Sequence, residues 1–449
     1  MEATPTESFN ALVENYLGER LPDKLANMVA FETLPPNAQE IIVRMLALMK
    51  RAAFPVTEFN TYMLWLLGTV TPAMLPSAWG GRIPPLTASG RHKKLDAYVS
   101  GHNWDADNGR GVFVDLGCGF PPVTTTDTAK ALPAWSVFGV DRLFAAYVLY
   151  DPDGNYACFN EDGAFLYLQP LKKPLHENRK TVRTRFEALF ADLSPHLQAN
   201  DAGASTAIEK DGARLVYNHV RDFETPNLRF VEAEIEGLRL PSARVVRCMN
   251  VLLYFDKTVR QKMRRSTAAI LEDGGLMISG FNDPFGIYAR YAVNKKTAAG
   301  LEPFEFAFSL ENLRPLGFGP WVTIADQDED AELLADLTGA IRADRRFWPD
   351  FNRYVDELQA ANGIGRRDAD GFIQFTEEMR TAPPQVVMAK TRALWRQLDA
   401  EGYTDGAVDA LNRAGYRAWK NQVGDIAVVP PAGPPPAGDE MSLDPTGGS

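Results

Sequence analysis

Apolar side chains recur at helical spacing early in the chain: Phe9, Leu12, Val13, Tyr16 and Leu17, then Ile41, Ile42, Met45 and Leu46. This rhythm predicts amphipathic helices over residues 7–72, separated at Pro35-Pro36. Residues 73–110 lose it and read as a long connecting segment rich in Pro, Gly and polar groups. From Gly111 the period changes. Val112-Phe113-Val114 is a short apolar run ending in Asp115-Leu116-Gly117-Cys118-Gly119. Residues 124–132 read as a short helix with threonines suited to its cap, and residues 136–140 as a second apolar run, ending at Asp141. Strand, glycine turn, helix, strand is the opening of a Rossmann-like sheet.

Residues 147–168 alternate apolar and polar, broken at Asp153-Gly154 and Asp162-Gly163, both good hairpin turns. A small antiparallel subdomain is expected there, inserted after the second strand over about residues 146–220, with an amphipathic helix at 179–193. The sheet resumes at 228–235 and 244–253, and a helix follows at 257–271. Gly274-Gly275 opens another strand at 276–280. Residues 304–310 and 321–325 supply two more, read as an antiparallel pair at the sheet edge. Helical rhythm returns over 331–422. The proline run from Pro430 and the polar tail lack core-forming residues and read as disordered. The expected class is α/β, with a Rossmann-like, doubly wound, seven-stranded sheet. Its divisions are an N-terminal helical region (1–100), a cofactor-binding domain (101–327), a C-terminal helical region (328–426) and a tail (427–449).

The chain has 449 residues, more than one ordinary core holds, so additions to a central domain are expected. A net charge of −11 disfavours a phosphate-tracking surface, and no nucleic-acid partner is expected. Cys118, Cys158 and Cys248 show no CxxC spacing, so neither a metal site nor a disulfide framework is implied, and a reducing cytoplasm fits best. Met1-Glu2-Ala3-Thr4-Pro5 lacks the features of a signal peptide. The most apolar stretch, residues 62–79, is too short and too broken by Pro72 and Pro76 to span a bilayer, so no membrane partner is expected.

The candidate chemistry starts at Asp115, Gly117 and Gly119. A turn leaving a buried strand must let its backbone approach a ligand, and glycines permit that. Backbone N–H groups at the next helix start then face the ligand. Asp141 lies 22 residues after Gly119 and can accept hydrogen bonds from both ribose hydroxyls of an adenosine. NAD and S-adenosylmethionine both fit this outline. Pro122 stands at the third glycine position of GxGxxG and weakens the NAD reading. An acid two positions before the first glycine favours a ligand with positive charge, such as a sulfonium, and Asp115 is expected to meet its methionyl part.

Val114-Asp115-Leu116-Gly117-Cys118-Gly119 resembles the first motif of class I S-adenosylmethionine-dependent methyltransferases, and Val140-Asp141 their ribose-binding acid. Val231-Glu232-Ala233-Glu234-Ile235 resembles the third motif. By that resemblance Glu234 contacts the adenine amino group and Ile235 packs on the ring. Residues 228–283, with Cys248-Met249-Asn250-Val251-Leu252-Leu253-Tyr254-Phe255 and Leu271-Glu272-Asp273-Gly274-Gly275, resemble the chemotaxis-receptor glutamate methyltransferases. Those enzymes carry a helical N-terminal domain and a β subdomain between the second and third strands. They usually have arginine where this chain has Met249. The class-level likeness covers about residues 111–325.

The implied cofactor contacts are Asp115, Gly117, Cys118, Gly119, Asp141, Arg142, Glu234, Ile235 and Asn250. Asn250 and Tyr254, near the carboxyl end of the fourth strand, are expected to orient the methyl acceptor, with Phe281, Asn282 and Asp283 behind them. Cys118 reads as small-residue packing beside the turn rather than a nucleophile. Phe255 reads equally well as a core aromatic, and His102 and His219 are possible bases that more often are structural. A hydroxyl, thiol or amine acceptor needs a base; a carboxylate does not. Methyl transfer to a small molecule or protein side chain is the leading function. An NAD-dependent oxidoreductase and a non-catalytic interaction protein on the same fold are the alternatives.

Overall fold

A computed structural model describes residues 5–73, 87–104, 110–169, 179–197, 203–283 and 286–431. The N-terminal rhythm gives α1 (Pro5–Leu17), α2 (Asp23–Ala26), α3 (Pro36–Arg51) and α4 (Thr61–Ala73). Pro36 opens α3, where a fixed φ and a missing N–H are at home. One face of α3 buries Ile41, Ile42, Met45, Leu46 and Met49. The segment expected to be only a connection holds a helix, α5 (Lys93–Gly101), which buries Leu95, Tyr98 and Val99 at helical spacing.

β1 (Val112–Leu116), α6 (Val123–Ala131) and β2 (Ser136–Asp141) follow as patterned. The threonines do not cap α6. Pro122 takes the cap position, and Thr125 and Thr128 donate from inside the helix to Asp115 Oδ2 (2.6 Å) and Asp96 Oδ1 (2.7 Å).

β3 (Tyr147–Tyr150), β4 (Tyr156–Phe159), β5 (Phe165–Gln169), α7 (Arg179–Leu193), β6 (Thr206–Lys210) and β7 (Ala213–Tyr217) come next. The five strands form a separate antiparallel sheet in the order β5-β4-β3-β7-β6. Its alternation sorts two faces. Leu149, Ala157 and Phe159 pack on Val182 and Phe186 of α7, while Val148, Tyr156 and Cys158 pack on Phe120 of the glycine turn.

β8 (Leu228–Glu232), β9 (Ala243–Met249), α8 (Lys257–Ile270), β10 (Leu271–Asn282), β11 (Ala289–Thr297) and β12 (Gly300–Phe308) continue the chain. α9 (Glu329–Ala343), α10 (Trp348–Ala361), β13 (Gly365–Arg367), β14 (Ile373–Phe375), α11 (Glu377–Thr381), α12 (Pro384–Ala400), α13 (Tyr403–Arg413), β15 (Ala418–Lys420) and β16 (Ile426–Val428) complete it. Among the described residues the main sheet has nine strands, in the order β8-β2-β1-β9-β10-β11-β12-β16-β15, not seven. The first five run parallel and the rest pair antiparallel.

Three expectations fail here. Residues 321–325 are not a strand: Trp321 closes a short 3-10 turn (Gly319–Trp321) and is fully buried in the core beneath the N-terminal helices. β11 is a strand the pattern did not reveal, because Arg290 and Asn294 interrupt its apolar run while being buried. The boundary drawn at 427 cuts through β16, whose three residues are buried, and β15 and β16 make the C-terminal region part of the sheet. Residues 432–449 of the expected tail lie outside the described residues.

β1 sits between β2 and β9, so the chain's direction of travel across the sheet reverses there. Such a switch point opens a crevice at the carboxyl ends of the strands. Leu253 and Trp321 share a core with Leu46, Phe54 and Met63, and Tyr254 and Phe281 pack against it. The N-terminal helices therefore stand beside the carboxyl ends of β9 and β10. No described helix is long and apolar enough to cross a membrane.

Candidate cofactor and acceptor site

The glycine turn is built as the sequence required, with a different use of its backbone. Gly117 has φ +71° and Gly119 φ +64°. A Cβ on Gly117 would collide with Val251 Cγ2, so the turn is bare because β9's exit loop presses on it. Its amides, however, point home. Gly117 N–H and Cys118 N–H donate to Val140 O (2.8 and 3.2 Å), and Gly119 N–H donates to Asp141 Oδ2 (2.9 Å). Val123 N–H donates to Pro121 O, and Pro121 and Pro122 have no N–H. The expected row of donors facing a ligand is thus mostly engaged within the protein.

Asp115 is the main correction. It is 3% exposed, and in register with Arg247 on β9. Arg247 Nε donates to Asp115 Oδ1 (2.9 Å) and Nη2 to Oδ2 (2.7 Å), a bidentate pair, while Nη1 reaches Asp96 Oδ1 (2.9 Å) on α5. Thr125 completes the shell. The carboxylate that was to meet the methionyl group is closed beneath the turn. A guanidinium buried with two carboxylates is held charged, which raises its pKa despite desolvation. Arg247 escaped the sequence reading, although an arginine inside the run Ala243–Met249 was a visible signal.

Asp141 keeps its place. Partly exposed at the end of β2, it accepts from Gly119 N–H and, at 3.4 Å, from Leu143 N–H. Glu232 stands opposite it in register on β8 and accepts from Phe144 N–H (2.8 Å), a role the reading missed. Glu234 and Ile235 lie beyond the strand. Glu234 is exposed and 3.8 Å from exposed Arg142, and Ile235 packs on the Val114–Val140 core. Cys118 is buried against Gly139, and burial pushes its thiol well above the ordinary range.

On the β9 side, Asn250 takes φ +61°, a region asparagine tolerates. Its Nδ2 donates to Asn282 Oδ1 (2.7 Å), and its Oδ1 accepts from Asn282 N–H (3.1 Å), joining the ends of β9 and β10. Asn282 Nδ2 donates to Arg91 O (3.1 Å), and Arg91 Nη2 and Nε donate back to Asn282 O and Asp283 O (2.6 and 3.0 Å). Asp283 Oδ1 accepts from Ile287 N–H and Tyr288 N–H, which fixes the loop after β10. Burial pushes the Tyr254 phenol up to about 12 against the opposing charge of Arg91, so it stays a donor at neutral pH. Phe255 is exposed, not core.

The two histidines considered as bases lie elsewhere. His102 stacks on Tyr98 and meets Trp104 at a tilt. His219 bonds Asp222 (2.8 Å) and Tyr150 (3.1 Å) under the five-stranded sheet.

No protein-family model matches the chain, and no curated protein matches it. Several solved structures are similar in part. PKMT2 from Rickettsia typhi, in complex with AdoHcy, is 12% identical over 44% of this chain and 27% of that one, with a TM-score of 0.21. The plantazolicin methyltransferase BpumL, in complex with a pentazolic desmethylPZN analog and SAH, is 10% identical over 80% of this chain and 92% of that one (TM-score 0.24). An O-methyltransferase family 2 protein from Planctomyces limnophilus, in complex with apigenin, is 13% identical over 64% and 82% (TM-score 0.24). TM-scores this low leave the site to be read from its own geometry.

Proposed function

We propose that this chain transfers a methyl group from S-adenosylmethionine to a small molecule or a protein side chain. The observation that carries the reading is the junction of β1 and β2, where the bare turn Gly117–Gly119 is bound to the partly exposed carboxylate of Asp141 through Gly119 N–H. A carboxylate has about four acceptor sites, so Asp141 can hold the backbone and still receive ribose hydroxyls. Glu234, Ile235 and Arg142 stand on the side where the base would lie. A pyrophosphate would need the turn's amides, and those of Gly117, Cys118, Gly119 and Val123 are already donating. An adenosyl ligand without phosphates fits better than NAD.

Methyl transfer is an in-line displacement that breaks the sulfonium–methyl bond as the acceptor–methyl bond forms. Alignment and exclusion of water are the protein's tasks. Asn250 and Tyr254 are the proposed orienters, as hydrogen-bonding groups beside the N-terminal helices. Residues 101–327 would be the cofactor domain, with 146–220 as its insertion. Titration calorimetry with S-adenosylmethionine should give saturable heat, and NADH none. The reverse result overturns the reading in favour of an oxidoreductase.

A further inference from the structure

We propose that His92, with Arg91 beside it, forms a carboxylate-binding subsite at the β9–β10 end of the crevice. His92 precedes α5 and is 7% exposed. Neither of its ring nitrogens makes a hydrogen bond of good geometry among the described residues. An imidazole buried in that condition costs free energy, and native proteins carry few such groups without a reason. The charges acting on it are both cationic, Arg247 and Arg91, and the one polar side chain that draws on it, Asn282, is already bonded to Asn250 and to Arg91 O. Arg247 is committed to Asp115 and Asp96, and Arg91 holds the carbonyls that end β10. Burial and the two guanidiniums keep the imidazole neutral. A neutral imidazole presents one N–H donor, here in a positive field, and the complement of that arrangement is an anion.

The topology says which anion. With ribose at Asp141 on the β2 side, the rest of the cofactor must cross the glycine turn toward β9, because β1 lies between those strands. It then arrives at Asn250, Asn282 and His92, and the acid once expected to receive it there, Asp115, is closed. A carboxylate reaching His92 comes either from the cofactor's amino-acid tail or from the methyl acceptor. The subsite rests on the methyltransferase reading.

Calorimetry with three probes separates the cases. S-adenosylhomocysteine carries the amino-acid tail, and methylthioadenosine lacks it. N-acetylglutamate α-amide, added to protein saturated with S-adenosylhomocysteine, offers a side-chain carboxylate. If the tail is the source, His92→Phe weakens S-adenosylhomocysteine about tenfold, the scale for a lost hydrogen bond to a charged group, and leaves methylthioadenosine unchanged. If the acceptor is the source, both nucleosides bind as before and the glutamate derivative is weakened about tenfold. His92→Gln, which keeps a donor, recovers part of either loss. His92→Phe matching wild type with all three probes overturns the subsite alone. A His92→Gln variant as weak as His92→Phe also overturns it, since packing would then be the cause. A wild-type protein that binds neither nucleoside overturns the methyltransferase reading instead.

Discussion

Asp115 and Asp141 end neighbouring parallel strands and flank the same glycine turn, yet their surroundings have opposite characters. Asp115 is sealed in a polar cluster with Arg247, Asp96 and Thr125. Asp141 stands partly exposed at the end of β2, accepting from the backbone N–H groups of Gly119 and Leu143. Both strands are paired on both sides, and the difference follows from what each acid meets across the sheet: Asp115 has Arg247 in register on β9, whereas Asp141 has Glu232 in register on β8. The comparison teaches that a carboxylate at a strand end is a ligand group only where no cation has been built to face it. The closed acid is spent on the fold, and the partly exposed one is the acid proposed to meet a ligand.

The sharpest way to break this contrast is Arg247→Met. It leaves two buried carboxylates without their cation and should cost about 3–5 kcal/mol, read from chemical denaturation. A loss under about 1 kcal/mol would mean that Asp115 is not structurally closed. Next, Asp141→Ala should lower S-adenosylmethionine affinity by about 1.5–3 kcal/mol while leaving the melting temperature nearly unchanged. Unchanged affinity in that variant would remove Asp141 from the site.

A pH test sharpens the closed side. His92 titrates below its ordinary 6.5 in the folded protein because of burial and the two arginines. The unfolded chain therefore binds the proton first as pH falls. The stability this group contributes is present above about 6.5 and is lost at up to about 1.4 kcal/mol per pH unit below it. His92→Phe should flatten the stability profile between pH 6.5 and 5; an unaltered slope would contradict the assignment. The smallest effect belongs to the open edge. Arg142→Ala breaks only an exposed pair with Glu234 and should change stability by no more than about 0.5 kcal/mol. A larger loss would show that the β2–β8 edge is also built for stability.

Much of the parallel half was legible because its signals are local. Apolar runs of four or five residues, a glycine pair and an acid at fixed spacing need no knowledge of what lies across the sheet. The positive-φ turn and the place of Asp141 at the end of β2 could be read that way. Asp115 was misjudged because its partner is 132 residues away, and a sequence motif does not show which cation faces it. α5 was hidden among prolines and glycines, though Leu95, Tyr98 and Val99 carried its rhythm. β11 and β16 were lost for the opposite reason. Buried polar groups such as Arg290 and Asp425 are satisfied by distant partners, so they broke the apolar pattern without exposing the strands.

The placement of β16 bears on how the protein is made. β12 finds its second neighbour only when residues 426–428 leave the ribosome, long after the parallel strands have emerged. Until then its outer rim offers unpaired amides and carbonyls to any passing strand. Lys94 on α5 also waits for Asp425 to arrive, at 2.6 Å in the finished molecule. Nascent chains stopped short of Ile426 should therefore lean on chaperones, and the cell would meet the protein first as an open-edged intermediate that its own late residues seal.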